Sequence, residues 1–174
     1  MLAEDEKKVI EKGLLTLWII WAAIMVSLFI YVFICHQFGN EIRGGMNQDI
    51  PLPLFRNIFY AIALITLFAA HFFKRFMLAV KSSSALAKAL KPAPNAEQSP
   101  LLAKYSTALI VSLALSESIG IYGFVLFLLG DGMQTLYTFI VISALSIYYH
   151  RPKREELEAL AIAMKTENAT NDGL

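Results

Sequence analysis

Cysteine is almost absent: Cys35 is the only one in 174 residues, so neither an internal disulfide nor a thiolate metal cluster can form. The chain also lacks a phosphate-binding glycine loop, a nucleophile–base constellation and a metal-spaced carboxylate pair, which argues against an enzyme active site. Short segments of alternating apolar and polar residues are missing too, and a transmembrane β-barrel needs them. Charge is scarce over long stretches, and those stretches are apolar.

Hydrophobic residues make up 57% of the chain and the mean hydropathy is +0.56, too apolar for a soluble domain of this length. Four runs account for it: Leu14–Cys35, Leu54–Phe73, Tyr105–Gly130 and Met133–Tyr149. Each approaches or exceeds the roughly 17–25 residues that a spanning helix needs. The expected fold is an all-α membrane protein with four transmembrane helices in two helical hairpins, occupying residues 1–150. Residues 151–174 are expected to form a cytoplasmic amphipathic helix and a disordered tail.

Charge sets the expected orientation. With both termini and the Lys74–Lys104 loop on one side, that side holds 13 of the 15 Lys and Arg, leaving Arg43 and Arg56 opposite. The positive-inside rule then places both termini in the cytoplasm of a multi-pass inner (plasma) membrane protein. An acidic leader (Glu4, Asp5, Glu6) and a long apolar run make the first segment a span and not a cleaved signal. The net charge of +1 gives no reason to expect a nucleic-acid partner. Expected partners are the lipid bilayer and either other membrane subunits or further copies of the chain.

Glycine and proline mark the connections. Gly39, Gly44 and Gly45 break the outer loop, and Pro51 and Pro53 set the start of span 2. Residues 76–91 prolong span 2 until Pro92, Pro94 and Pro100 stop it, and Gly130-Asp131-Gly132 joins spans 3 and 4 closely. Past Pro152, Leu157, Leu160, Ala161 and Met164 share one helical face, suited to the membrane surface or to a partner.

Span 3 holds the residue of greatest chemical interest. Glu117 lies at its centre, among residues with no other ionisable group except the Tyr105 and Tyr122 phenols. Ionising a carboxylate there costs several kcal/mol, which favours the protonated form, and a residue that costly carries an ion, binds a polar ligand or bonds to another helix. Ala108, Ser112, Ser116, Gly120 and Gly123 form a small-residue face beside it, on which another helix can pack closely. Counting back from the Asp131–Gly132 turn sets Ser146 of span 4 at the depth of Glu117, with Ser143 one turn outward. Ser116, Gly120, Tyr122, Ser143 and Ser146 are therefore the expected supporting residues. Two roles stay open: a proton carrier, or a protonated side chain that only bonds helix to helix.

The segment Ala114-Leu115-Ser116-Glu117-Ser118-Ile119-Gly120-Ile121-Tyr122-Gly123-Phe124-Val125 resembles the ion-carrying outer helix of the c-type proteolipid of rotary ATPases. There the pattern runs Ala-Leu, one residue, Glu, small or apolar residues, then Ile-Tyr-Gly. The resemblance implies that Glu117 carries a proton, held while it faces lipid and exchanged beside a stator arginine. Glu97-Gln98-Ser99-Pro100 stands near the place of the family's Arg-Gln-Pro loop, without the arginine. The match covers about residues 97–129. Span 2 has no glycine, where the family's first helix carries a glycine ladder, and this implies a divergent relative in another assembly.

The histidines offer a different chemistry. His36 falls on the outer side, while His71 and His150 both fall near the inner interface. They read as interfacial residues or as a haem-ligating pair, and quinone-reducing membrane anchors have a broadly similar layout. The expected function is thus a subunit that binds or passes protons through Glu117, with no cofactor or metal. The alternatives are a structural or assembly scaffold subunit and a haem- or quinone-binding anchor.

Overall fold

In hydrocarbon, no water is available to pair with backbone N–H and C=O groups, so an apolar run satisfies them internally as a helix. The computed structural model describes residues 4–43, 51–79, 100–160 and 162, and four long helices fill most of them. These are α1 (Glu4–Arg43), α2 (Leu52–Ala79), α3 (Pro100–Leu128) and α4 (Met133–Tyr149). The first three are long and apolar enough to cross a membrane, and the 17 residues of α4 are shorter. A further helical stretch covers 154–160.

The helix ends follow local chemistry. Pro51 precedes α2 and its carbonyl accepts from the Leu54 and Phe55 amides. Pro100 opens α3, where its missing N–H costs nothing. At the other end of α3, Gly130 takes a φ of 102°. Its N–H donates to Phe127 O while Asp131 N–H donates to Leu126 O, the pair of bonds that closes a helix through a left-handed glycine. α1 runs on through Gly39, which is buried against Phe127 and does not break the helix as expected. A side chain at that position would meet the Phe127 ring.

α3 is the hub. α1, α2 and α4 all pack on it, and α1 and α2 each pack chiefly on α3. Contacts fix the directions. Gly13 meets Leu102, Ser27 meets Glu117 and Gly39 meets Phe127, a nearly constant offset that makes α1 parallel to α3. Gly123 meets Phe139, Gly120 meets Ser143 and Ser116 meets Ser146, so α4 runs antiparallel to α3. The outward faces of α1 and α2 expose Phe29, Phe33, Ile65, Phe68 and Phe72, a surface suited to hydrocarbon.

The stretch after α4 folds back on the bundle. Leu157 and Leu160 are buried in one cluster with Leu17, Leu102 and Tyr105. Of the amphipathic face expected to meet the membrane surface or a partner, Leu157 and Leu160 are thus covered by the chain's own helices. Ala161 and Met164 lie outside the residues described for side chains, as does the tail from 163. The outer loop at 44–50, the expected extension of span 2 over 80–91, and Glu97-Gln98-Ser99 also lie outside the described residues.

Candidate functional site

The small-residue face of α3 is fully engaged. Ala108, Ser112 and Ser116 have no exposed surface, and Gly120 and Gly123 are buried with them. Ser116 Oγ donates to Ser112 O at 2.8 Å and lies 2.7 Å from Ser146 Oγ. Since the Ser116 proton is committed to Ser112, Ser146 is the donor of that pair. Ser143 Oγ donates to Ser116 O at 2.7 Å. Ser112 Oγ bonds Ala108 O at 2.8 Å and reaches Ala70 O of α2 at 3.4 Å.

Glu117 faces elsewhere. One residue along a helix turns the side chain by about 100° from Ser116, onto the side that α1 covers. There Ser27 Oγ lies 2.5 Å from Glu117 Oε1, and Tyr31 OH donates to the same oxygen at 3.1 Å. Ser27 and Tyr31 are four residues apart, one above the other on α1. The Tyr31 ring stacks on Phe124 at 5.4 Å, which holds the phenol in place. Gly120 lets α1 come this close, because a Cβ there would meet Leu28.

Two expectations are corrected here. Ser143 and Ser146 bond Ser116 and not Glu117, because equal depth on a neighbouring helix does not mean the same face. Tyr122 packs against Phe59 of α2 at 5.7 Å, also away from the carboxylate. The partners that sequence reasoning missed are Ser27 and Tyr31. A usable signal existed, since they form a polar i, i+4 pair inside the apolar run Leu14–Cys35.

Ser27 gives the site its chemistry. Its oxygen is also 2.7 Å from Ile24 O, yet a hydroxyl has one proton for two acceptors. Both protonation states of Glu117 fit this arrangement. With the carboxylate ionised, Ser27 and Tyr31 both donate to Oε1. With the carboxyl protonated, it donates to Ser27 Oγ, and the serine turns its own proton to Ile24 O.

A second polar cluster sits at the end of the bundle that carries Lys74. His71, Lys74, Arg75, Tyr149, His150, Lys153 and Glu156 line an open cavity of about 580 Å³. The structure thus brings His71 and His150 to one cavity, with the Tyr149 ring 5.7 Å from His71 and 5.3 Å from His150. Lys74 is nearly buried, and its Nζ lies 2.7 Å from Glu156 Oε2. Tyr105 fixes Lys153: its OH accepts from Lys153 N at 3.0 Å and donates to Lys153 O at 3.2 Å. Trp21 donates from Nε1 to Ile147 O at 3.0 Å, satisfying one of the free carbonyls at the α4 end.

His150 is oriented by α4. Its Nδ1 is 2.8 Å from Ser146 O, a pure acceptor, so Nδ1 carries the proton. Burial holds the imidazole below the usual histidine range, and Lys74 and His71 push the same way, against the Ser146 bond and Glu156. Its Nε2 is buried with no partner among the described residues. No group of three or more His, Cys, Asp or Glu suited to a metal ion occurs among those residues. No protein-family model, curated protein or solved structure matches this chain.

Proposed function

We propose that this chain is a four-span membrane subunit with cytoplasmic termini that binds and exchanges a proton at Glu117. The observation that carries the reading is Ser27, 2.5 Å from Glu117 Oε1 and 2.7 Å from Ile24 O. A hydroxyl so placed accepts from the acid and donates to the carboxylate, so neither state is left without a partner. The resemblance of Ala114–Val125 to the c-type proteolipid helix supports the same role, as does the apolar cover of α3. A lone carboxylate among apolar neighbours suits a proton better than sodium. The scaffold alternative loses Leu157 and Leu160 as docking residues, since both are buried within the chain.

Infrared difference spectroscopy on the reconstituted protein tests the exchange. A protonated-carboxyl C=O band should vanish as pH rises, return as it falls, and be absent from Glu117→Gln. Glu117→Gln keeps a donor and an acceptor, so the fold should survive. A carboxyl-reactive carbodiimide should label Glu117 less at raised pH, because only the protonated acid reacts. A band that persists unchanged across pH would leave Glu117 as interhelical glue. Topology is tested by reporter fusions: one at Lys91 and one at Lys165 should report cytoplasm, and one within 44–50 the exterior.

A further inference from the structure

The cavity at the Lys74 end plays no part in the Glu117 chemistry, yet its composition is specific. Among the described residues, three cations, Lys74, Arg75 and Lys153, line it against the one carboxylate of Glu156. That carboxylate is shared: Lys74 Nζ is 2.7 Å away and Lys153 Nζ 3.6 Å. An unbalanced positive charge therefore remains, with the Lys74 ammonium drawn largely out of solvent. Such a charge is stabilised by a bound anion. His71, Lys74 and Arg75 are spaced i, i+3 and i+4, so α2 presents them on one face, while Tyr105 fixes the backbone of Lys153 opposite.

We propose that this cavity binds a phosphate group. A tetrahedral phosphate offers several acceptor oxygens to two ammonium groups and a guanidinium, the geometry for which charge-assisted bonds are strongest. His150 adds a recognition element. Its Nδ1 proton is committed to Ser146 O, the residue lines the cavity, and Nε2 is buried with no partner among the described residues. As a neutral ring it accepts from a P–O–H or a headgroup hydroxyl, and as an imidazolium it donates to a phosphate oxygen. The cavity lies where the apolar lengths of α2, α3 and α4 end, the depth at which phospholipid phosphates sit. A haem would set its apolar ring against Lys74, Arg75, Lys153 and Glu156, four charged residues among the seven that line the cavity. The phosphate comes from an anionic phospholipid headgroup or from solution, and the two sources separate experimentally.

The test uses the full-length protein in phosphatidylcholine nanodiscs. One arm titrates inorganic phosphate by calorimetry. The other dopes the discs with phosphatidylglycerol and counts retained molecules by native mass spectrometry. Binding in the second arm alone assigns a lipid headgroup, and binding in the first assigns a soluble phosphate. Arg75→Gln with Lys153→Gln should weaken binding by about tenfold or more, consistent with loss of charge-assisted bonds. Arg75→Gln alone, at an exposed position, serves if the double variant misfolds. The control is Arg151→Gln, whose guanidinium bonds Tyr148 outside the cavity. The proposal fails if neither arm shows binding or if the cavity variants weaken it no more than Arg151→Gln. It fails equally if purified protein shows a Soret band that His150→Ala removes.

Discussion

On the α4 side of α3, Ser116, Ser143 and Ser146 form a closed hydrogen-bond set in which every hydroxyl proton has one destination. On the α1 side, Glu117, Ser27 and Tyr31 form an open set, in which one serine proton faces two acceptors. Both sets are built from short polar side chains at the middle of an apolar helix. The difference is one of proton count. A closed set can only hold helices together, whereas an open set has two arrangements of similar quality and can change its protonation without repacking. The two faces also differ in how α3 is approached. Gly123 meets the Cβ of Phe139 on α4, while Gly120 meets the flexible end of Leu28 on α1.

That last difference gives the largest expected effect. A Cβ at Gly123 would lie 2.5 Å from Phe139 Cβ and 3.4 Å from Leu136 O, so the α4 backbone itself must shift. A Cβ at Gly120 would lie 2.6 Å from Leu28 Cδ2, which can rotate away, and 3.3 Å from Ser143 Oγ, a milder contact with α4. Gly123→Ala should therefore destabilise by roughly 1–3 kcal/mol, the usual range for overpacking, and Gly120→Ala by less. Gly120→Leu should approach the Gly123→Ala cost, because it also crowds Ser143. Leu128→Ile, nearly neutral in volume, should cost the least of the four. Thermal unfolding in one detergent checks the order, and equal costs for the two alanine variants would remove the distinction between the faces.

A smaller effect separates bonds from mere proximity. Double-mutant cycles should give a coupling of about 0.6 kcal/mol for Ser116 with Ser146, the average for hydrogen bonds between membrane helices. Ser27 with Glu117 should give at least as much, since that contact is shorter and involves a carboxyl group. A Ser27–Glu117 coupling well below that of the serine pair would deny the open set its central bond.

What the residues revealed in advance was whatever depends on local chemistry. Apolar length predicted the four helical runs, because lipid permits few other structures. Pro51 and Gly130 marked helix ends because their backbone limits act within a few residues. Glu117 stood out because a carboxylate is costly wherever the span packs, and the Ala108–Gly123 face stood out through its four-residue spacing. The misses involve partners distant in sequence. Ser27 is 90 residues from Glu117, and depth counting placed the wrong serines beside it. Gly39 looked like a loop residue until Phe127 explained why a side chain has no room there. Leu157 and Leu160 announced a buried face without saying that Leu17, Leu102 and Tyr105 would cover it.

The smallest expected effect is the most discriminating for the two-face picture. Ser146 lies at the depth of Glu117, so depth alone predicts that the two interact. In the structure the Ser146 hydroxyl is committed to Ser116 Oγ at 2.7 Å, and Glu117 points toward α1. A cycle of Ser146→Ala with Glu117→Ala should therefore give a coupling of zero, within the roughly 0.3–0.5 kcal/mol to which independent sites add. The measurement needs no knowledge of activity, only the unfolding free energies of the single and double variants in a common detergent. A coupling of about 1 kcal/mol or more would mean that the carboxyl reaches across α3 to the serine set. The closed and open networks would then be one network, and the assignment of Ser27 as the residue that serves both states of Glu117 would fall with their separation.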